Sequence, residues 1–136
     1  MAPDGGARPE RAGPVSEDAR RGVAGEDRAC VHLRGQGLAI LERNFRCRVG
    51  EIDIVAREGD TVVFVEVKER GDASHGAAVE AVTPSKRRRV IRAAQLWAAT
   101  HRESESPLRF DVVAIDWGPG GPVLRHERAA FDAEGR

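Results

Sequence analysis

The sequence predicts an α/β fold: a mixed central sheet flanked by helices, with elements in the order α-β-β-β-α-β-β. Two stretches with helical apolar spacing, near residues 16–34 and 84–100, alternate with Val- and Ile-rich runs of strand length. Gly59-Asp60 separates two of those runs, and Gly readily takes the positive φ of a tight hairpin turn. That order of elements calls for helices packed on a mixed sheet.

Ser16 is a suitable N-cap for the first helix, and Glu17 and Asp18 fall in its first turn, where the helix dipole favours acids. Ala19, Val23, Ala29, Cys30 and Leu33 form its apolar stripe. Gly22 and Gly25 each weaken the helix by roughly 1 kcal/mol relative to Ala, which points to a close approach at that turn. Gly35 or Gly37 ends it. Strands follow at about 38–45, 51–57 and 61–69. Residues 70–82 form an irregular segment with a short helical turn near 77–81. Thr83 as N-cap and Pro84 at the first helical position open the second helix. Val90, Ile91, Ala94, Leu96, Trp97 and Ala98 supply its stripe, with Trp97 read as core. Residues 103–107 form a loop and 108–117 the fourth strand. The Gly- and Pro-rich stretch 118–122 is a turn, and 123–128 the fifth strand. One domain is expected over 16–132, with a disordered leader at 1–15 and a flexible tail at 133–136.

Formal net charge is zero, so any nucleic-acid argument must rest on local clusters. Cys30 and Cys47 show neither CxxC nor zinc spacing and read as buried, reduced thiols. No apolar run is long enough to span a membrane, and no signal peptide is evident. A cytoplasmic location is the expectation.

The unusual feature is charge inside apolar strands. With the turn at Gly59-Asp60, Asp53 falls opposite Glu66 and Glu51 opposite Lys68. Alternation places Val62, Phe64, Glu66 and Lys68 on one face, with Glu51, Asp53 and Val55 beside them. Opposed residues have Cβ atoms roughly 4.5–5.5 Å apart, and like charges there are destabilising. A divalent cation between Asp53 and Glu66 turns that repulsion into binding. Mg²⁺ prefers carboxylates, water and phosphate oxygens, so the pattern suits metal-assisted phosphodiester hydrolysis. Lys68, two residues after Glu66 and on its face, is placed to orient the attacking water or to stabilise transition-state charge. The competing reading makes these acids solvent-facing strand residues and Lys68 a salt-bridge partner.

Asp53 followed by Glu66-Val67-Lys68 resembles the D…ExK core of the PD-(D/E)xK nuclease superfamily. More narrowly, GEIDIVAREGDTVVFVEVK, AVTPSKRRR and RFDVVAI resemble the YraN family, which is similar to Holliday-junction resolvases. The resemblance spans about residues 20–132. It implies a restriction-endonuclease-like fold, a Mg²⁺ or Mn²⁺ cofactor, and branched or structured DNA as substrate. It also implies that Glu26 completes a metal site with Asp53 and Glu66, alongside Lys68. Glu51 matches the glutamate of the GEID motif. Glu69 departs from the family pattern, but projects to the opposite face.

Lys86, Arg87, Arg88, Arg89 and Arg92 form the strongest basic cluster, and Arg46 and Arg48 precede the acidic strand. Such clusters bind backbone phosphates with little sequence information. Arg70 and His75 follow the third strand, with Arg70 expected to reach substrate. Asp111 is expected to be structural or to support the site, and His32, His101 and His126 show no zinc or triad spacing. The expected function is a divalent-metal-dependent DNA endonuclease. The alternatives are a non-catalytic nucleic-acid-binding module on the same fold and an interaction protein with surface salt bridges. A resolvase acts with two active sites, so a homodimer is the expected assembly.

Overall fold

The computed structural model describes residues 17–71 and 78–136. The leader expected at 1–15, the Ser16 cap and His75 lie outside the described residues. Helix α1 (Glu17–Gly35) is followed by β1 (Ala39–Cys47), β2 (Gly50–Glu58) and β3 (Thr61–Arg70). A short 3-10 helix (Ala78–Ala81) precedes α2 (Pro84–Thr100), β4 (Leu108–Gly118) and β5 (Gly121–Phe131). The mixed sheet and the element order are those expected. The five strands lie in chain order; β3 and β4 are parallel, and every other neighbouring pair is antiparallel. Helix α2 connects the two parallel strands.

Each face of the sheet packs on one helix. Val55, Val62, Phe64, Phe110 and Val112 pack with Val90, Ala93, Ala94 and Trp97 of α2. Ile54, Ala56, Val63, Val65, Val113 and Ile115 pack with Ala29, Cys30 and Leu33 of α1. Trp97 is core, as expected, with its Nε1 donating to Glu42 Oε1 at 2.9 Å. Both thiols are free; Cys30 is buried, but Cys47 is only half-buried.

The caps follow the local chemistry. Thr83 accepts a hydrogen bond from the Lys86 amide, with Pro84 at the helix start. Gly59 turns the β2–β3 hairpin at φ +60°. Gly25 and Gly50 are required by close approach. A Cβ at Gly25 would meet the Glu69 carboxyl carbon at 2.7 Å, and one at Gly50 the backbone oxygen of Arg89 at 2.8 Å. Gly50 thus lets the β1–β2 turn rest on α2.

Strand β5 is longer than expected. Gly121 and Pro122 belong to it, because an edge strand tolerates a missing N–H. It extends to Phe131 through a register irregularity opposite Phe110/Val112 and an Ala129 at φ 51°. Residues 133–136, expected to be a flexible tail, fold back in a turn on Asp132. Arg87 Nη1 donates to the Gly135 carbonyl at 3.1 Å.

Candidate functional site

The β2–β3 ladder runs from Glu58↔Thr61 to Ile54↔Val65, the register the hairpin turn predicts. The next pair in that register is Asp53 and Glu66. Here β2 departs from simple alternation. Ile52 and Val55 both join the α2-side core, while Ile54 and Ala56 join the α1 side, so the slip falls at Asp53. Asn44 lies between Arg43 and Phe45, the partners of Ile54 and Ile52, and therefore stands opposite Asp53; it adopts a left-handed φ of 57°. The Asp53 side chain takes over where the ladder stops: Oδ2 accepts a hydrogen bond from the Val67 amide at 2.8 Å. Among the described residues, nothing donates to Oδ1.

Glu66 is only 8% exposed, on the α2 face with Phe64. Burial and the Asp53 charge raise its pKa to about 7, against the lowering effect of Lys86 and Lys68. Burial also raises the pKa of Asp53; the Val67 amide opposes the rise, Glu26 adds to it and Lys86 opposes it. The two acids therefore repel each other in a poorly hydrated place. Lys86 Nζ lies 3.6 Å from Glu66 Oε2. Lys68 is exposed and lines, with Glu66, Thr83, Lys86 and Arg89, a cleft of about 230 Å³.

Glu26 stands near enough to act electrostatically on Asp53, but protein donors hold it. Its Oε1 accepts from Arg43 Nη2 at 2.9 Å, Arg43 Nε at 3.2 Å and Asn44 Nδ2 at 3.0 Å. Among the described residues, no three His, Cys, Asp or Glu side chains form a ready metal-ligand group. Asp53 and Glu66 remain as a pair of hard oxygen donors, one with an open oxygen and both disfavoured as bare anions. That donor set fits Mg²⁺ or Mn²⁺, which completes its shell with water and phosphate oxygens.

A second cleft, of about 440 Å³, adjoins the first. Arg46, Arg48, Glu51, Lys86 and Arg89 line it, and it shares Lys86 and Arg89 with the acidic cleft. Arg46, Arg48, Lys86 and Arg89 thus meet where phosphate contact is expected. Arg88 and Arg92 are exposed on α2 and line neither cleft. Arg87 serves the fold: it donates to the carbonyls of Val82, Val79 and Gly135 and lies over the Phe131 ring. Arg70, expected to reach substrate, is instead ion-paired with Asp116 at 2.7 Å and almost buried. Glu51 pairs with Arg46 at 3.4 Å rather than with Lys68. Glu69 lies on the α1 face, as expected, where it accepts from Trp117 Nε1 at 2.7 Å.

Asp111 is structural. Fully buried, it accepts from Arg109 Nε and Nη2, His126 Nε2 and the Ala129 amide, each at 2.9 Å. These bonds outweigh burial and bring its pKa down to about 2. Arg109 and Arg128 also bond Glu58, which ties the hairpin end of the sheet to β4 and β5. Sequence reasoning missed the place of Lys86 beside Glu66 and the Arg43–Asn44 clamp on Glu26. The first had a signal, a cation in the first turn of a helix, where the dipole disfavours one. The second had none beyond the tolerance of Asn for a left-handed φ.

The fold is an α/β domain with a mixed five-stranded sheet and two mutually repelling acids on its central hairpin. The model of "Uncharacterised protein family UPF0102" matches residues 25–115, and the chain belongs to that family, the YraN family. It is similar to a UPF0102 protein of Alkalilimnicola ehrlichii, with 48% identity over 94% of this chain and 97% of the relative. It is also similar to UPF0102 proteins of Anaeromyxobacter dehalogenans (47%, over 85% and 86%) and Herminiimonas arsenicoxydans (52%, over 70% and 76%). Among the described residues, no helix is long and apolar enough to cross a membrane.

Proposed function

We propose that this chain is a divalent-metal-dependent endonuclease acting on branched or structured DNA, in the manner of Holliday-junction resolvases. The electrostatic coupling of Asp53 with Glu66, which lines a cleft sharing Lys86 and Arg89 with the basic one, carries the reading. Asp53 and Glu66 would hold Mg²⁺ or Mn²⁺, and the Glu26 carboxylate on α1 adds to the negative field that draws the cation there. The chemistry such a cation would supply, held by Asp53 and Glu66, is polarisation of the phosphoryl group and a lower pKa for bound water. Lys68, exposed beside Glu66, would orient the attacking water or balance charge on the phosphorane-like transition state. Arg46, Arg48 and Arg89 would hold flanking phosphates.

The test is cleavage of four-way, single-stranded and duplex DNA with Mg²⁺ or Mn²⁺. The expected outcome is cutting of the branched substrate that falls at least about a hundredfold in Asp53→Ala, Glu66→Ala and Lys68→Ala. Cleavage that persists in all three variants would overturn the mechanism. A second reading, a nucleic-acid-binding module without catalysis, is favoured by one observation: Glu26 is clamped by Arg43 and Asn44. DNA binding with no cleavage under either metal would select it. A resolvase would bring two such sites to one junction, so a dimer in solution or on DNA is the expected active form.

A further inference from the structure

The sole ion pair that Glu66 makes among the described residues comes from α2 rather than from its own hairpin. Lys86 lies in the first turn of that helix, which carries no acid. A cation there opposes the helix dipole and costs roughly 0.3–1 kcal/mol. A local rule broken without a local remedy points to a role across space. The remedy is Glu66, 3.6 Å from Lys86 Nζ. The same side chain lines both the acidic cleft and the basic one, and it is half-buried on a long, flexible stem. Arg89, the other residue common to both clefts, has a guanidinium hydrogen bond to Ser85 Oγ at 3.4 Å and, among the described residues, none to an acid.

We propose that Lys86 is the resident counter-ion of the acid pair and a positioning residue. In the metal-free chain it neutralises Glu66; when a divalent cation sits on Asp53 and Glu66 it is repelled into the adjoining basic cleft, where it takes a DNA phosphate. The proposal rests on the metal-binding reading above. It couples occupancy of the acids to grip on the substrate, because the charge released from one cleft becomes available in the other. Three neighbours bear on the exchange. Lys68 faces Glu66 from β3 and shares its field, Glu26 faces Asp53 from α1, and Glu51 balances Arg46 at the basic end.

The test uses calorimetric Mn²⁺ titration of the full chain at about pH 8.5, where the Glu66 carboxylate, raised to about 7, is ionised. Lys86→Met is expected to bind Mn²⁺ roughly three- to tenfold more tightly than wild type, since no ion pair must break. With Ca²⁺ present, it should bind a short DNA strand more weakly, with its salt slope reduced by about one phosphate contact. Lys86→Arg should resemble wild type in both. In the wild-type chain, the NMR signal of the Lys86 ammonium should shift on adding Ca²⁺. Equal or weaker Mn²⁺ affinity in Lys86→Met, or an unmoved ammonium signal in a chain that binds Ca²⁺, overturns the counter-ion role and leaves the metal reading standing. Absence of metal binding in both wild type and Lys86→Met overturns both.

Discussion

Glu66 is destabilising by design of its surroundings. Its pKa stands near 7 in the folded chain because burial and Asp53 penalise the anion, while an unfolded chain titrates it near 4.5. The folded state therefore binds more protons between those values, and stability falls as pH rises through that window, by about 3 kcal/mol at most. Urea unfolding from pH 4.5 to 8 should show this loss. Glu66→Gln should flatten it, and excess Mn²⁺ at pH 8 should restore stability to wild type but not to the variant. A wild-type profile as flat as that of Glu66→Gln would sink the idea. Asp111 has the opposite sign. Its pKa of about 2 means that its contribution is present above about pH 4 and is lost as pH falls toward 2. Asp111→Asn leaves Arg109 and His126 without their buried acceptor charge and should cost about 3–5 kcal/mol in the same assay.

The elements meet through two glycines that differ in what stands over them. At Gly50 the obstacle is the Arg89 carbonyl, part of the α2 backbone, so a methyl group must push helix and turn apart. At Gly25 it is the end of the Glu69 side chain, which can swing away at the expense of its bond to Trp117. Gly50→Ala should therefore lower stability by about 1–3 kcal/mol. Gly25→Ala should cost less, because the gain in helix propensity, roughly 1 kcal/mol, offsets the displaced carboxylate. Thermal unfolding of the two variants side by side decides this; a larger loss at Gly25 would refute the assignment. Much of this level was legible in the sequence. The hairpin register followed from Gly59-Asp60 and the alternation of Val62–Phe64–Glu66, and Gly25 within the helix pointed to a close approach. The slip at Asp53 was not legible, because it depends on Asn44 in the neighbouring strand. Nor was the length of β5, whose end depends on pairing with Phe110 across a bulge.

Across the whole molecule, basic residues that look alike in sequence take different places; Arg88 and Arg92 are exposed on α2 and line neither cleft. Arg46, Arg48, Lys86 and Arg89 line the clefts, while Arg87 closes the chain end against α2 and Arg70 is paired inside. Arg46→Ala and Arg89→Ala should each lower the salt slope of DNA binding by about one unit and leave stability nearly unchanged. Arg87→Ala should leave the slope unchanged and lower stability by about 1–3 kcal/mol. Fluorescence anisotropy over a salt series, paired with urea unfolding, measures both. A reversed pattern would remove the basic cleft from the proposed interface.

By itself, the sequence determined the element order, the hairpin register and the residue types that could hold a hard cation, since each follows from short-range periodicity and turn chemistry. The family resemblance rested on the same local motifs. The tertiary structure decided which charges meet. Whether Lys86 faces Glu66, whether Arg87 reaches solvent or Gly135, and whether Glu26 is open or clamped depend on how two helices are laid on opposite faces of one sheet. Ion pairing acts across space over a few ångströms, between residues as far apart in the chain as Glu66 and Lys86; the misplaced cation in the first turn of α2 signals that a partner is needed but not which acid supplies it.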